Sequence, residues 1–182
     1  MPLLWRFSAP QHDFHDHELG AVVRHGFHAL ALDETRDAFA PVLWSCSPGW
    51  QGHVEQVWFT GVHGDIGGQL NGREEARPLA NIPLFWMLER LEACGVPLPD
   101  DWRGRIDCVP EAPSVGTWAR WGKLFLMRRR RIVGQDVSER LHPTAHARFP
   151  DLARRLEERF TAAMSGPMPS PGATGAGDRT EP

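Results

Sequence analysis

One stretch of this chain has the residue types and spacing of a catalytic loop: Gly61-Val62-His63-Gly64-Asp65-Ile66-Gly67-Gly68. A free imidazole titrates near pH 6.5, so a histidine can take and return protons at neutral pH. Glycines beside it permit positive φ and close backbone approach, which lets the ring face a cleft. His63 is therefore the candidate catalytic residue, as a general base. Gly61, Gly67 and Gly68 are read as shaping the loop or touching substrate. Asp65 is read the same way, as an acceptor of loop backbone N–H groups; an orienting carboxylate for His63 would come from another strand end. The plainer reading of His63 is a loop histidine bonded to its own backbone. His142 is the next candidate for the base.

Two other clusters invite chemistry. His12, Asp13, His15, Asp16 and His17 carry imidazole and carboxylate ligands that suit zinc or a similar ion. They are crowded, without the paired spacing of established zinc sites, and read first as a polar connection; no metal site is assigned. His25 and His28, three apart, read as packing or capping residues of a helix. The run Arg128-Arg129-Arg130-Arg131, flanked by Phe125, Leu126, Met127 and Ile132, offers charge to anionic lipid headgroups. Its plainer reading is a solvated basic turn.

The elements that would position His63 follow from pattern. Glu55 to Val62 is a short apolar, β-branched and aromatic run that stops at glycines, which predicts a strand buried on both faces of a parallel sheet. His63 then falls just past its carboxyl end, where open α/β sheets bind ligands. Val22, Val23, Phe27 and Leu30 recur at helical spacing and predict a helix over 19–32, ended by Asp33-Glu34. Asn81-Ile82-Pro83 predicts a helix start capped by Asn81, with Leu84, Trp86, Met87, Leu88 and Leu91 apolar and Gly95 as its stop. Residues 102–134 read as irregular. A last helix is predicted from Asp151, with Leu152, Leu156 and Phe160 on one face.

The chain has 182 residues, 41% of them hydrophobic, enough for a core without disulfides. A formal charge of −3 gives no nucleic-acid footprint. Cys46, Cys94 and Cys108 form no C-x-x-C pair, which points to a reducing compartment. There is no signal-like segment and no long apolar run, so a cytoplasmic location is expected. The organisation reads as a histidine-rich connection over 1–18, an α/β body over 19–164, and a Gly-, Pro- and Ser-rich disordered tail over 165–182.

Three segments together resemble one family: Phe27-His28-Ala29-Leu30-Ala31-Leu32-Asp33-Glu34 with Phe39, Pro41 and Leu43-Trp44; Val57 to Gly68; and Ile82 to Leu88. They are similar to the α/β-hydrolase domain family that includes type VI secretion phospholipase effectors, over roughly 14–91. Gly64 stands where that family more often has serine, and Gln69 where a further glycine is common. The resemblance implies a serine hydrolase acting on lipid esters, with His63 as base, no cofactor, and delivery by a secretion system. The implied fold class is α/β, a partial α/β-hydrolase-like fold with an incomplete, mainly parallel sheet. Family members order nucleophile, acid and histidine along the chain. No G-x-S-x-G elbow occurs here: none of Ser45, Ser47, Ser114, Ser138 and Ser165 has glycine at both of the two flanking positions. The expectation is a chain inactive alone, whose partners are an upstream hydrolase fragment and a lipid substrate or membrane surface. The alternatives are a non-catalytic interaction or regulatory remnant, and a metal-dependent enzyme using the N-terminal histidines.

Overall fold

The computed structural model describes residues 19–20, 22–45, 50–118 and 120–165, and for 120, 121, 164 and 165 the backbone alone. The connection 1–18 with its histidine cluster, the tail beyond 165, Cys46 and Ser47 lie outside the described residues.

Three parallel strands form a small sheet in the order β1 (His25–Ala31), β2 (His53–Phe59), β3 (Glu139–Leu141). β2 is central, with Leu30 level with Trp58 and Trp58 level with Leu141. Alternate residues of a strand point to opposite faces. Trp58 therefore joins Leu30 and Leu141 on one face, while Val57 and Phe59 join the cluster on the other. All three β2 residues are under 5% exposed, which is why the run is apolar without alternation.

Helices cover both faces. After β2 comes a single turn, α1 (His63–Ile66), and then α2 (Arg77–Ala93), which lays Leu79, Ile82 and Trp86 on Val57 and Phe59. Past β3, α3 (Pro143–His146) and α4 (Pro150–Ser165) bring Ala145, Ala153 and Leu156 against Leu30, Trp58 and Leu141. The architecture is thus α/β-like.

Buried polar groups stitch the sheet together. The Trp58 indole donates to the Glu139 carboxylate at 2.8 Å, which also accepts from the backbone N–H of Gly134 and Asp136. Gln56, fully buried, accepts from Trp44 N–H and donates to Trp44 C=O and to the Ser138 hydroxyl. Trp58, Gln56 and Glu139 thus find hydrogen-bond partners within the sheet and the segment before β3, as burial demands.

Three expectations are corrected. Residues 25–31 are a strand and not part of a helix, and Val22, on the expected apolar face, is 92% exposed. His25 and His28 consequently lie on opposite faces of β1 rather than on one side of a helix. Pairing with β2 overrides the local helical spacing. Finally, α2 starts at Arg77, four residues before the expected cap: Pro78 occupies its first turn, Pro83 lies inside it, and the Asn81 side chain donates instead to Asp107 C=O. Gly95, with φ +85, ends it as read.

Candidate functional site

β2 ends at Phe59, and the chain turns sharply at Gly61, whose φ is +119. A side chain there would also collide with Asp65, whose Cβ lies 2.9 Å from where a Gly61 Cβ would sit. Glycine is required for both reasons. Gly68 has φ +70, whereas Gly67 is in ordinary helical backbone.

The loop is held from beneath by Asp65, which is fully buried. Its carboxylate accepts from Val62 N–H at 2.8 Å, Val115 N–H at 3.0 Å and the Ser114 hydroxyl at 2.5 Å. Those bonds tie α1 to the distant segment 114–115. They also occupy both carboxylate oxygens, so Asp65 is built into the loop floor rather than aimed at the imidazole.

A second clamp comes from the end of β1. The Asp33 carboxylate accepts from Gly61 N–H at 2.8 Å, and the Glu34 carboxylate accepts from His63 N–H at 3.1 Å. Glu34 is 1% exposed and grips Arg36 through two side-chain bonds and the Arg36 backbone N–H. Burial alone would raise the Glu34 pKa, but the bonds from Arg36 and His63 hold it below the ordinary glutamate value. It is thus an ionised anchor under the backbone of His63.

His63 itself is exposed and stacks on Phe39, with ring centroids 4.7 Å apart. The Arg36 guanidinium also lies over the Phe39 ring, 4.3 Å from its centroid. Arg36, Phe39, His63, Leu70, Arg73 and Val115 all line a cleft of about 260 Å³. The structure therefore places an imidazole at the carboxyl end of the central strand, on the wall of a cleft. Chemically, such a group can accept a proton from anything the cleft holds.

Ser114 donates to Asp65, and Ser138 donates to Asp136 while accepting from Gln56. Neither hydroxyl bonds to His63. His142, at the end of β3, stacks on Phe59 at 4.5 Å, and its Nδ1 accepts from Thr144. Burial first, then the charge of Arg90 and the nearby His146, push its pKa down to about 4. Among the described residues no group of three or more His, Cys, Asp or Glu is arranged to hold a metal ion.

Glu34, Arg36, Phe39 and Arg73 were not singled out from the sequence. The pair Asp33-Glu34 read as a helix stop and, with Phe39, as part of the family-like segment, without a site role. In a parallel sheet neighbouring carboxyl ends lie side by side, so recognising β1 as a strand would have put those acids beside the histidine loop.

The four arginines at 128–131 do not form one solvated turn. Arg128 donates to the hydroxyls of Thr35 and Thr117 and to the carbonyls of Thr117 and Gly122. Arg131 donates to the carbonyls of Arg36 and Phe39. Arg129 and Arg130 are exposed. The segment is thereby strapped to the residues that follow β1, beside the cleft.

A parallel sheet with a histidine turn beside a cleft at the end of its central strand is the arrangement in which open α/β sheets bind ligands. Residues 1–90, which hold β1, β2, His63 and most of α2, match the model of one family: T6SS, Phospholipase effector Tle1-like, catalytic domain. The match overlaps the stretch, roughly 14–91, over which the sequence resembles that family. No curated protein matches the chain. No solved structure matches it either.

Proposed function

We propose that the chain is the histidine-bearing part of an α/β-hydrolase that cleaves phospholipid esters, with His63 as its general base and the nucleophilic serine supplied by sequence this chain does not contain. The observation that carries this reading is His63: exposed on a cleft wall, at the carboxyl end of a central parallel strand, inside the segment that matches a phospholipase effector family. Its imidazole would take the proton from the serine Oγ as that oxygen attacks the ester carbonyl. It would then return the proton to the leaving alcohol, leaving an acyl-enzyme for water to open. The Glu34 and Phe39 contacts fix the backbone and ring of His63 before substrate arrives. Delivery by a type VI secretion apparatus belongs to the same reading, through the family match.

The test is to assay the purified chain on phospholipid and p-nitrophenyl esters, alone and with a polypeptide that supplies a G-x-S-x-G elbow and its acid. The chain alone should show no turnover above background. The complemented pair should hydrolyse esters, and His63→Ala should lower its rate by roughly three orders of magnitude or more. Turnover by the chain alone that a serine-directed phosphonate abolishes would sink the proposal, as would an undiminished rate in His63→Ala. A second reading, a non-catalytic interaction protein, draws on the commitment of the Ser114 and Ser138 hydroxyls to carboxylates. Failure of every complementation would favour it.

A further inference from the structure

Between Ala112 and Gln135 the chain has no aspartate or glutamate, yet it carries Arg120, Lys123 and the four arginines 128–131, in a protein of formal charge −3. The same stretch holds the densest set of exposed apolar side chains among the described residues. Leu126 is 81% exposed, Leu124 68%, Met127 66%, Ile132 62% and Trp118 58%. Scattered exposed apolar residues are ordinary, but five within fifteen positions of chain, interleaved with basic groups, call for an occupant.

The segment is fixed in place. Its inward arginines, 128 and 131, are consumed by hydroxyls and carbonyls near the end of β1. Its outward ones, 129 and 130, are exposed, with Arg129 in a loose ion pair with Asp37 at 3.7 Å that leaves its side chain open to solvent. Phe125 packs on Phe39 at 5.2 Å, and Phe39 stacks on His63. The exposed stretch therefore borders the cleft directly. Trp118 lies under the Arg128 guanidinium, an aromatic and cation pair of the kind that sits well at a membrane–water boundary.

We propose that Trp118 and residues 122–132 form a docking surface for an anionic phospholipid bilayer, which sets the His63 cleft against the lipid. Charge complementarity selects this occupant. Exposed leucines and a methionine enter the headgroup region while Arg129 and Arg130 meet phosphate. A second copy of the chain would instead set like charge against like, wherever the same segments met. The surface stands on its own charge and exposure; its service to a catalytic cleft rests on the hydrolase reading above.

The experiment is cosedimentation of the full chain with vesicles of phosphatidylcholine, with and without phosphatidylglycerol. The chain should partition onto the anionic vesicles, and more weakly as salt rises. Replacing both outward arginines (R129Q with R130Q) should lower the partition roughly 30-fold, from about fivefold per basic residue at such a surface. Exchanging Leu126 and Met127 for serine should lower it several-fold. The pair R154Q and R155Q, on α4, should leave it unchanged. All the replaced side chains are exposed, so urea midpoints should stay at the parent value and report intact folding. Equal binding to neutral vesicles, no binding to either kind, or indifference to both pairs of substitutions would overturn the proposal. Sedimentation needs no hydrolysis, so the two readings fail separately: a chain that binds lipid but never completes an esterase loses only the hydrolase, and one that completes an esterase without binding loses only this surface.

Discussion

His142 sits half-buried on the Phe59 ring, capping α3 through Thr144, and stays neutral there because burial and Arg90 disfavour its charge. Its pKa in the fold, about 4, lies below the ordinary 6.5. Protonation thus favours the unfolded chain. The contribution of the neutral ring is whole above about pH 6.5 and is lost as pH falls through about 4. The variant His142→Asn keeps a good capping acceptor and removes the titration. Its urea midpoint should fall less than the parent's between about pH 7 and about pH 5, a window above ordinary carboxylate titration. Parallel midpoints would show that another group drives the acid loss. At this scale His63, Gly61 and Gly68 were legible, because glycine and histidine announce themselves locally. Glu34, Arg36 and Phe39 were not, because they reach the histidine only through the pairing of β1 with β2.

Among the elements, β2 could be read from its own residues: a strand buried on both faces needs no polar alternation, and Gln56-Val57-Trp58-Phe59 shows none beyond one bonded glutamine. β1 could not. His25-Gly26-Phe27-His28 carries little strand signal, and Leu30 happens to fall at helical spacing from Phe27. β3 is three residues long, too short for any period to appear. The two descriptions of residues 22–31 make opposite demands on Val22 and Leu30. In the helix both would face the core, whereas in the fold Leu30 is 2% exposed against Trp58 and Leu141, and Val22 is 92% exposed. Leu30→Ala should therefore cost about 2–5 kcal/mol in urea unfolding. Val22→Ala should stay within roughly 0.5 kcal/mol. Comparable costs at the two positions would contradict the strand.

Across the whole molecule, core packing concentrates on the two faces of a narrow sheet, and the segment 106–138 reaches it through side chains more than through regular structure. Val115 seals the loop beneath His63, Ser138 receives the Gln56 amide, and the inward arginines lash 128–131 to the end of β1. The sequence offered composition here but no period: 102–134 read as irregular, which missed the short 3-10 helices Trp102–Arg105 and Arg120–Leu124 and was silent about these ties. They have a consequence for proteolysis. Trypsin must draw an arginine side chain fully into its specificity pocket, and brief digestion samples groups that are free to leave the surface. Of four adjacent potential cleavage points, the two whose guanidiniums already hold carbonyls, Arg128 and Arg131, should be spared, while cutting begins after Arg129 and Arg130. Mass spectrometry of the earliest fragments would read this out, and first cuts after Arg128 or Arg131 would mean that the straps open on the protease's timescale.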